Sequence, residues 1–195
     1  MTRNWHELFV DRGALSEGHF LLSSGRHSPA YVQCAKVLER PADAEALGQT
    51  LAQRVAGLAV DRVVAPPMGG ILIGYEVARA LGVPFLFPER DESGALALRR
   101  GFSLPQGDRV VVVEDVVTTG LTTREVLQLV RTKGGTPVGL MALVDRSEEH
   151  HVDGLPVQAV LQLQFPTFSP EGCPLCADAV PLTKPGSRAV VSGAR

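Results

Sequence analysis

Two adjacent carboxylates, Glu114 and Asp115, stand directly after four valines and before a hydroxyl-rich run, so that residues 110–122 read V-V-V-V-E-D-V-V-T-T-G-L-T. Four consecutive valines are too apolar for a strand with one wet face, and they predict a central strand of a parallel sheet covered on both sides. The acids then fall at its carboxyl end, the edge where open α/β sheets bind ligands, and the loop opening the next helix offers unpaired N–H groups to an anion. A phosphate carries only acceptors. It therefore needs donors, namely threonine hydroxyls and loop amides, and a glycine that lets the backbone come close, a cup that Thr118, Thr119, Gly120 and Thr122 fit. The acids would repel that phosphate; they suit ribose hydroxyls or a divalent cation with hard oxygen ligands. Acid pair and phosphate cup together point to a phosphorylated sugar. A helix terminus contributes only about 0.3–2 kcal/mol to anion binding, so a ligand with several phosphates requires further cations. The plainer alternative, a buried strand ending in a helix capped by Thr118 or Thr119, explains the threonines but not two acids abutting an apolar strand. The Gly-Lys-Ser/Thr ending of a P-loop is missing.

The elements that must position these residues follow the same logic. Asn4 to Arg12 reads as a short helix, and Gly18 to Val32 as strands broken by the turn Ser23-Ser24-Gly25-Arg26. Pro41 opens an amphipathic helix to about Gly57, with Leu47, Leu51, Val55 and Leu58 at helical spacing on the core face. A strand at Asp61 to Ala65, a helix at Gly70 to Leu81 and a strand at Val83 to Phe87, bracketed by Pro84 and Pro88, make a βαβ unit. Val110 to Glu114, a helix from about Thr119 to Lys133, and Val138 to Val144 repeat it. The fold class is α/β, a doubly wound parallel sheet. The expected division is an N-terminal cap or hood at 1–40, a core sheet at 41–165 and a tail at 166–195, mobile from Lys184 on, within one domain.

With 195 residues, 45% apolar, and a net charge of −2, the chain can bury one sizeable core and carries no basic run suited to nucleic acid or an anionic membrane. No signal core or long apolar stretch is evident, which points to the cytoplasm. Three cysteines argue against a disulfide framework.

The acid-acid, two apolar residues, Thr-Thr-Gly loop resembles the signature of type I phosphoribosyltransferases, which bind phosphoribosyl pyrophosphate. Gly13-Ala14-Leu15, the run from Gly18 to Pro29 and Tyr31 are similar to the N-terminal region of orotate phosphoribosyltransferases, and Ala142-Leu143-Val144-Asp145-Arg146 to their segment whose arginine helps hold orotate. The resemblance implies transfer of a phosphoribosyl group to orotate, with Mg²⁺ on the diphosphate, in a homodimer. It places Glu114 and Asp115 at the ribose hydroxyls, Thr118, Thr119, Gly120, Leu121 and Thr122 around the 5'-phosphate with Val116 and Val117 also in the phosphoribosyl pyrophosphate site, Thr118 and Arg146 at orotate, and Tyr31 beside the base. A purine-base phosphoribosyltransferase or a regulator sensing phosphoribosyl pyrophosphate without turnover are the alternatives.

The chain departs from that family where lysines are expected. Residues 89–102 hold no lysine or histidine, Ser23 stands where a lysine would, and another is missing at Met68-Gly69-Gly70. Arg90, Arg99 and Arg100 are therefore expected to replace those cations at the pyrophosphate, with Gly94 and Gly101 as hinges; the alternative for Arg99-Arg100 is a solvated surface pair. Amides at Met68-Gly69-Gly70 either touch the diphosphate or form a tight turn. Cys173-Pro174-Leu175-Cys176 is half of a zinc motif, for which His150-His151 is a conceivable complement; with only half defined, no metal site is assigned. His19 and His27 read as hydrogen-bonded structural histidines.

Overall fold

The computed structural model describes residues 3–22 and 24–185, so Ser23 and the tail beyond Pro185 lie outside the described residues. Helix α1 (Trp5–Asp11) starts at Asn4, whose side chain accepts a hydrogen bond from the Glu7 amide at 3.2 Å. Strands β1 (Leu15–Leu21) and β2 (His27–Val32) pair antiparallel as the hood. A single helical turn, α2 (Ala35–Leu38), leads into α3 (Pro41–Arg54), which has proline in its first turn. Leu47, Leu51 and Val55 are buried as their spacing predicts, but Leu58 is 44% exposed. The helix stops at Arg54, so the period that would have carried Leu58 inward ends before it reaches that residue.

The main sheet is built from β3 (Arg62–Val64), β4 (Phe85–Leu86), β7 (Arg109–Val117), β8 (Thr136–Asp145), β9 (His151–Val152) and β10 (Leu155–Gln162), in the order β4-β3-β7-β8-β10-β9. Between β4 and β7 lies a small hairpin, β5 (Glu89–Arg90) and β6 (Leu96–Ala97). Every neighbouring pair of the main sheet is parallel except β10 and β9, so the expected parallel sheet carries one antiparallel edge strand. From β3 the chain winds outward to β4, and from β7 it winds the other way to β8 and β10. Helices α4 (Gly69–Leu81) and α5 (Leu121–Thr132) consequently lie on opposite faces. Val110 to Val113 are all fully buried. Val111 and Val113 join Leu47, Leu51, Ile73 and Val77 on the α3/α4 face, while Val110 and Val112 join Val126, Leu127 and Val130 on the α5 face.

Several expected boundaries move. The strand at Val83 to Phe87 shrinks to Phe85–Leu86, since Pro84 has no N–H to give the ladder. Strand β7 extends three residues past Glu114, with Val116 opposite Val144 and Val117 opposite Asp145. The carboxylates break the apolar run without breaking the ladder, which periodicity could not reveal. Helix α5 begins at Leu121, two residues later than expected, because Gly120 takes the left-handed conformation at φ 71°. The segment after β10 does not trail away: the Phe168 amide donates to the His27 carbonyl at 2.9 Å and the Leu21 amide to the Thr183 carbonyl at 2.9 Å, holding it along the hood. It includes a short helix, α6 (Pro174–Ala177).

Candidate active site

The winding reverses between β3 and β7, and the crevice at their carboxyl ends is the topological switch point where open α/β sheets bind ligands. A cleft lies there, lined by Pro66, Pro67 and Gly69 after β3 and by residues 114–123 after and along β7. Successive strand residues point to opposite faces. Glu114 therefore turns toward α5, where its Oε1 accepts a hydrogen bond from the Thr123 hydroxyl at 3.3 Å. Asp115 turns toward α4, and its carboxylate sits so close to Gly69 that a Cβ there would overlap it. Both still line the one cleft.

Among the residues lining the cleft there is no lysine or arginine. Burial, and after it the charge of Asp115, pushes the Glu114 carboxyl up to about 8. Burial raises Asp115 as well. Two acids held this way without a cation are poised for a ligand that brings positive charge or hydroxyl donors.

The loop 118–120 has Thr118 and Thr119 exposed and Gly120 buried. A Cβ on Gly120 would meet Val152 Cγ2 at 2.9 Å, so the residue is glycine for conformation and for space. Gly120, at the N-cap of α5, has no side chain to cap the helix; the Leu121 amide donates a long bond to the Thr119 Oγ1 at 3.4 Å, and Leu121 and Thr122 line the cleft. The Thr118 hydroxyl, and the hydroxyl hydrogen of Thr119, are thus left to donate to a ligand.

Tyr31, on β2 of the hood, and Arg146, just past β8, lie near enough for the charge of each to act on the other. Arg146 stacks on Phe165 with its guanidinium carbon 4.9 Å from the ring centroid. Its backbone amide donates to the Val117 carbonyl at 2.8 Å, which ties it to the cleft. Among the described residues its Nε is the one buried side-chain nitrogen or oxygen with no hydrogen-bond partner. Burial lowers the Arg146 pKa, and burial followed by the charge of Asp115 raises that of Tyr31. A desolvated guanidinium lacking a partner is costly to bury, and an anionic ligand would satisfy it.

The three loop arginines are not brought to this cleft. Arg90 pairs with Glu125 at 2.7 Å and donates to the Gly94 carbonyl, and Arg100 grips both oxygens of Glu89 at 2.8 and 2.9 Å. Arg99 is exposed and, among the described residues, makes no ion pair. Gly94, in the turn between β5 and β6, and Gly101, past β6, do take positive φ, 84° and 75°.

Pro66, Pro67 and Thr123 were missing from the sequence-based site. Pro66 and Pro67 carry no chemistry that a motif would reveal, and Thr123 reads as one more helix residue. Gly69, on the other hand, was foreshadowed by the Met68-Gly69-Gly70 turn. Neither half of His150-His151 approaches the cysteines: His150 bonds Asp145, and His151 the Glu149 carbonyl.

A mixed α/β sheet with an acid pair and a threonine-glycine loop at its switch point is the arrangement of a phosphoribosyltransferase, and residues 33–168 match the phosphoribosyl transferase domain family. The chain is 50% identical to the orotate phosphoribosyltransferase of Pelotomaculum thermopropionicum, over 94% of this chain and 96% of that one. It is 47% identical to that of Caldanaerobacter subterraneus subsp. tengcongensis, over 93% and 95%. The crystal structure of orotate phosphoribosyltransferase from Aeropyrum pernix superposes with a TM-score of 0.67 at 29% identity, covering 80% of this chain and 92% of that one. The chain belongs to the orotate phosphoribosyltransferase family.

Proposed function

We propose that the protein transfers the 5-phosphoribosyl group of phosphoribosyl pyrophosphate to orotate, giving orotidine 5'-monophosphate and pyrophosphate, a step of pyrimidine biosynthesis. The observation that carries the choice of base is the unpartnered guanidinium of Arg146 facing Tyr31 beside the cleft. Orotate brings a carboxylate; a purine base does not. The 5'-phosphate is taken by Thr118, Thr119, Gly120, Leu121 and Thr122, with Val116 and Val117 as the cleft wall, and the ribose hydroxyls by Glu114 and Asp115. Thr118 borders orotate.

In the reaction the bond from the anomeric carbon to diphosphate breaks, its electron pair leaves with the diphosphate, and a ring nitrogen of orotate supplies the pair for the new bond. Positive charge grows on the ribose and negative charge on the leaving group. The raised Glu114 and Asp115 answer the first by ionising where the cation forms, with no covalent intermediate on the protein. The hard oxygens of this pair, with no cation among the lining residues, fit Mg²⁺ accompanying the substrate. When bound, Mg²⁺ supplies charge stabilisation to the leaving diphosphate.

Arg90, Arg99 and Arg100 serve the pyrophosphate in our reading from a partner subunit of a homodimer, because in their own chain none of them lines the cleft. The whole chain then acts as one domain, working in the cytoplasm on small molecules and binding no nucleic acid. No helix among the described residues is long and apolar enough to cross a membrane. A steady-state assay with phosphoribosyl pyrophosphate, Mg²⁺ and either orotate, hypoxanthine or uracil tests the assignment. Turnover of orotate alone is expected; turnover of hypoxanthine alone would remove the choice of base, and no turnover at all would favour a sensing role.

A further inference from the structure

We propose that His19, His27, Cys173 and Cys176 bind one structural zinc ion that fastens the C-terminal segment to the hood. The Nδ1 or Nε2 and Sγ atoms of these four residues all lie within 4.8 Å of one another. His19 Nε2 is 3.5 Å from Cys173 Sγ and 3.7 Å from Cys176 Sγ, and His27 Nδ1 is 3.3 Å from Cys176 Sγ. Zinc bonds of about 2.0–2.1 Å to nitrogen and 2.3 Å to sulfur, at tetrahedral angles, give donor-to-donor edges of roughly 3.3–3.8 Å. The three nitrogen–sulfur separations already match. The two imidazole nitrogens, 2.9 Å apart, need to part by a few tenths of an ångström, about what an ion between them would impose.

The second nitrogen of His19 supports the assignment. Its Nδ1 lies 2.8 Å from the Val180 carbonyl, which accepts only, so the proton sits on Nδ1 and the Nε2 lone pair is aimed into the cluster. The donors are two imidazoles and two thiols with no carboxylate among them. That set suits zinc and not magnesium or calcium, and four protein ligands close the coordination shell, as in a structural site.

The place in the fold supplies a reason for an ion. His19 and His27 sit on facing strands of the hood, while Cys173 precedes α6 and Cys176 lies within it, a helix that buries no side chain of its own. Apart from Cys173, 4% exposed, this segment has little apolar surface with which to hold itself, and metal binding would contribute folding free energy that packing does not. The cysteines are free thiols in the structure. The competing arrangements are a hydrogen-bonded histidine pair beside two inert thiols, and a Cys173–Cys176 disulfide.

The test uses full-length protein without a histidine tag, purified under reducing conditions with no chelator, its metal content read by plasma mass spectrometry. About one zinc per chain is expected, released when a mercurial caps the thiols, and falling below about a tenth in Cys173→Ser/Cys176→Ser, together with a lower Tm. Should that double variant fail to fold, wild-type protein stripped of zinc and given Co²⁺ is expected to show the absorption of tetrahedral cobalt with thiolate ligands. Less than about a tenth of a zinc in wild-type protein with no such cobalt spectrum, zinc retained by the double variant, or a Cys173–Cys176 disulfide in fresh protein would each overturn the proposal. None of these readouts depends on which base the enzyme uses.

Discussion

Arg146 is a half-buried cation whose buried Nε has no acceptor, and such a group contributes most when a ligand completes it. Arg146→Ala should raise the KM for orotate about 10–100-fold, the equivalent of about 1.5–3 kcal/mol for a hydrogen bond to a charged group, and leave that for phosphoribosyl pyrophosphate nearly unchanged. Steady-state kinetics with each substrate varied in turn measures both. A rise confined to the sugar phosphate would mean that the base sits elsewhere. Glu114 gives a second expectation at this scale. Its carboxyl, raised to about 8, binds a proton in the folded chain over a range where the unfolded chain has released it, so this group makes stability fall as pH climbs from the ordinary carboxylate range through about 8. A ligand bringing hydroxyl donors or Mg²⁺ favours the ionised form. Binding of phosphoribosyl pyrophosphate with Mg²⁺ near neutral pH should therefore release protons, visible in calorimetry as a heat that depends on the buffer's ionisation enthalpy. In Glu114→Gln most of that dependence should vanish; if it persists unchanged, the proton comes from another group.

At the scale of elements, the turn between β7 and α5 sets the geometry of the phosphate cup. Gly120 holds φ 71° with Val152 against its α-carbon, so Gly120→Ala combines a left-handed L-residue with a collision. The strain of about 1–2 kcal/mol should lower Tm by about 2–8 °C, and the displaced loop should weaken phosphoribosyl pyrophosphate more than orotate. Calorimetric melting and the two KM values separate these effects. The β5–β6 hairpin region behaves differently, because Arg90 is engaged with Glu125 and Arg100 with Glu89 and neither lines the cleft. Arg99, the member of the trio that makes no ion pair among the described residues, is the one whose charge is least committed within its own chain.

For the whole molecule, a shared site has an arithmetical consequence. If the arginines of one subunit complete the cleft of another, mixing Asp115→Asn with Arg90→Ala/Arg99→Ala/Arg100→Ala, each inactive alone, should restore about a quarter of wild-type activity, since half the dimers are mixed and each of those has one intact site. Activity that stays at background after subunit exchange would place the arginines' role within their own chain or nowhere. Much of this architecture could be read from residue order. Four valines that only a sheet covered on both faces tolerates, an acid pair directly after them and a glycine where a helix must begin all announce themselves locally, because strand alternation, desolvation and positive φ constrain a few neighbouring residues at a time. The finer limits did not. Whether β7 stops at Glu114 or Val117 depends on Val144 and Asp145 being available opposite it, and Leu58 faces solvent because α3 unwinds before reaching it. That Glu114 and Asp115 diverge to α5 and α4 yet share one cleft, that Arg146 lacks a partner, and that Cys173 and Cys176 meet His19 and His27 and not His150 and His151, rest on contacts between residues distant along the chain. Such contacts arise only when the sheet and hood close over one another, and no spacing along a sequence carries them.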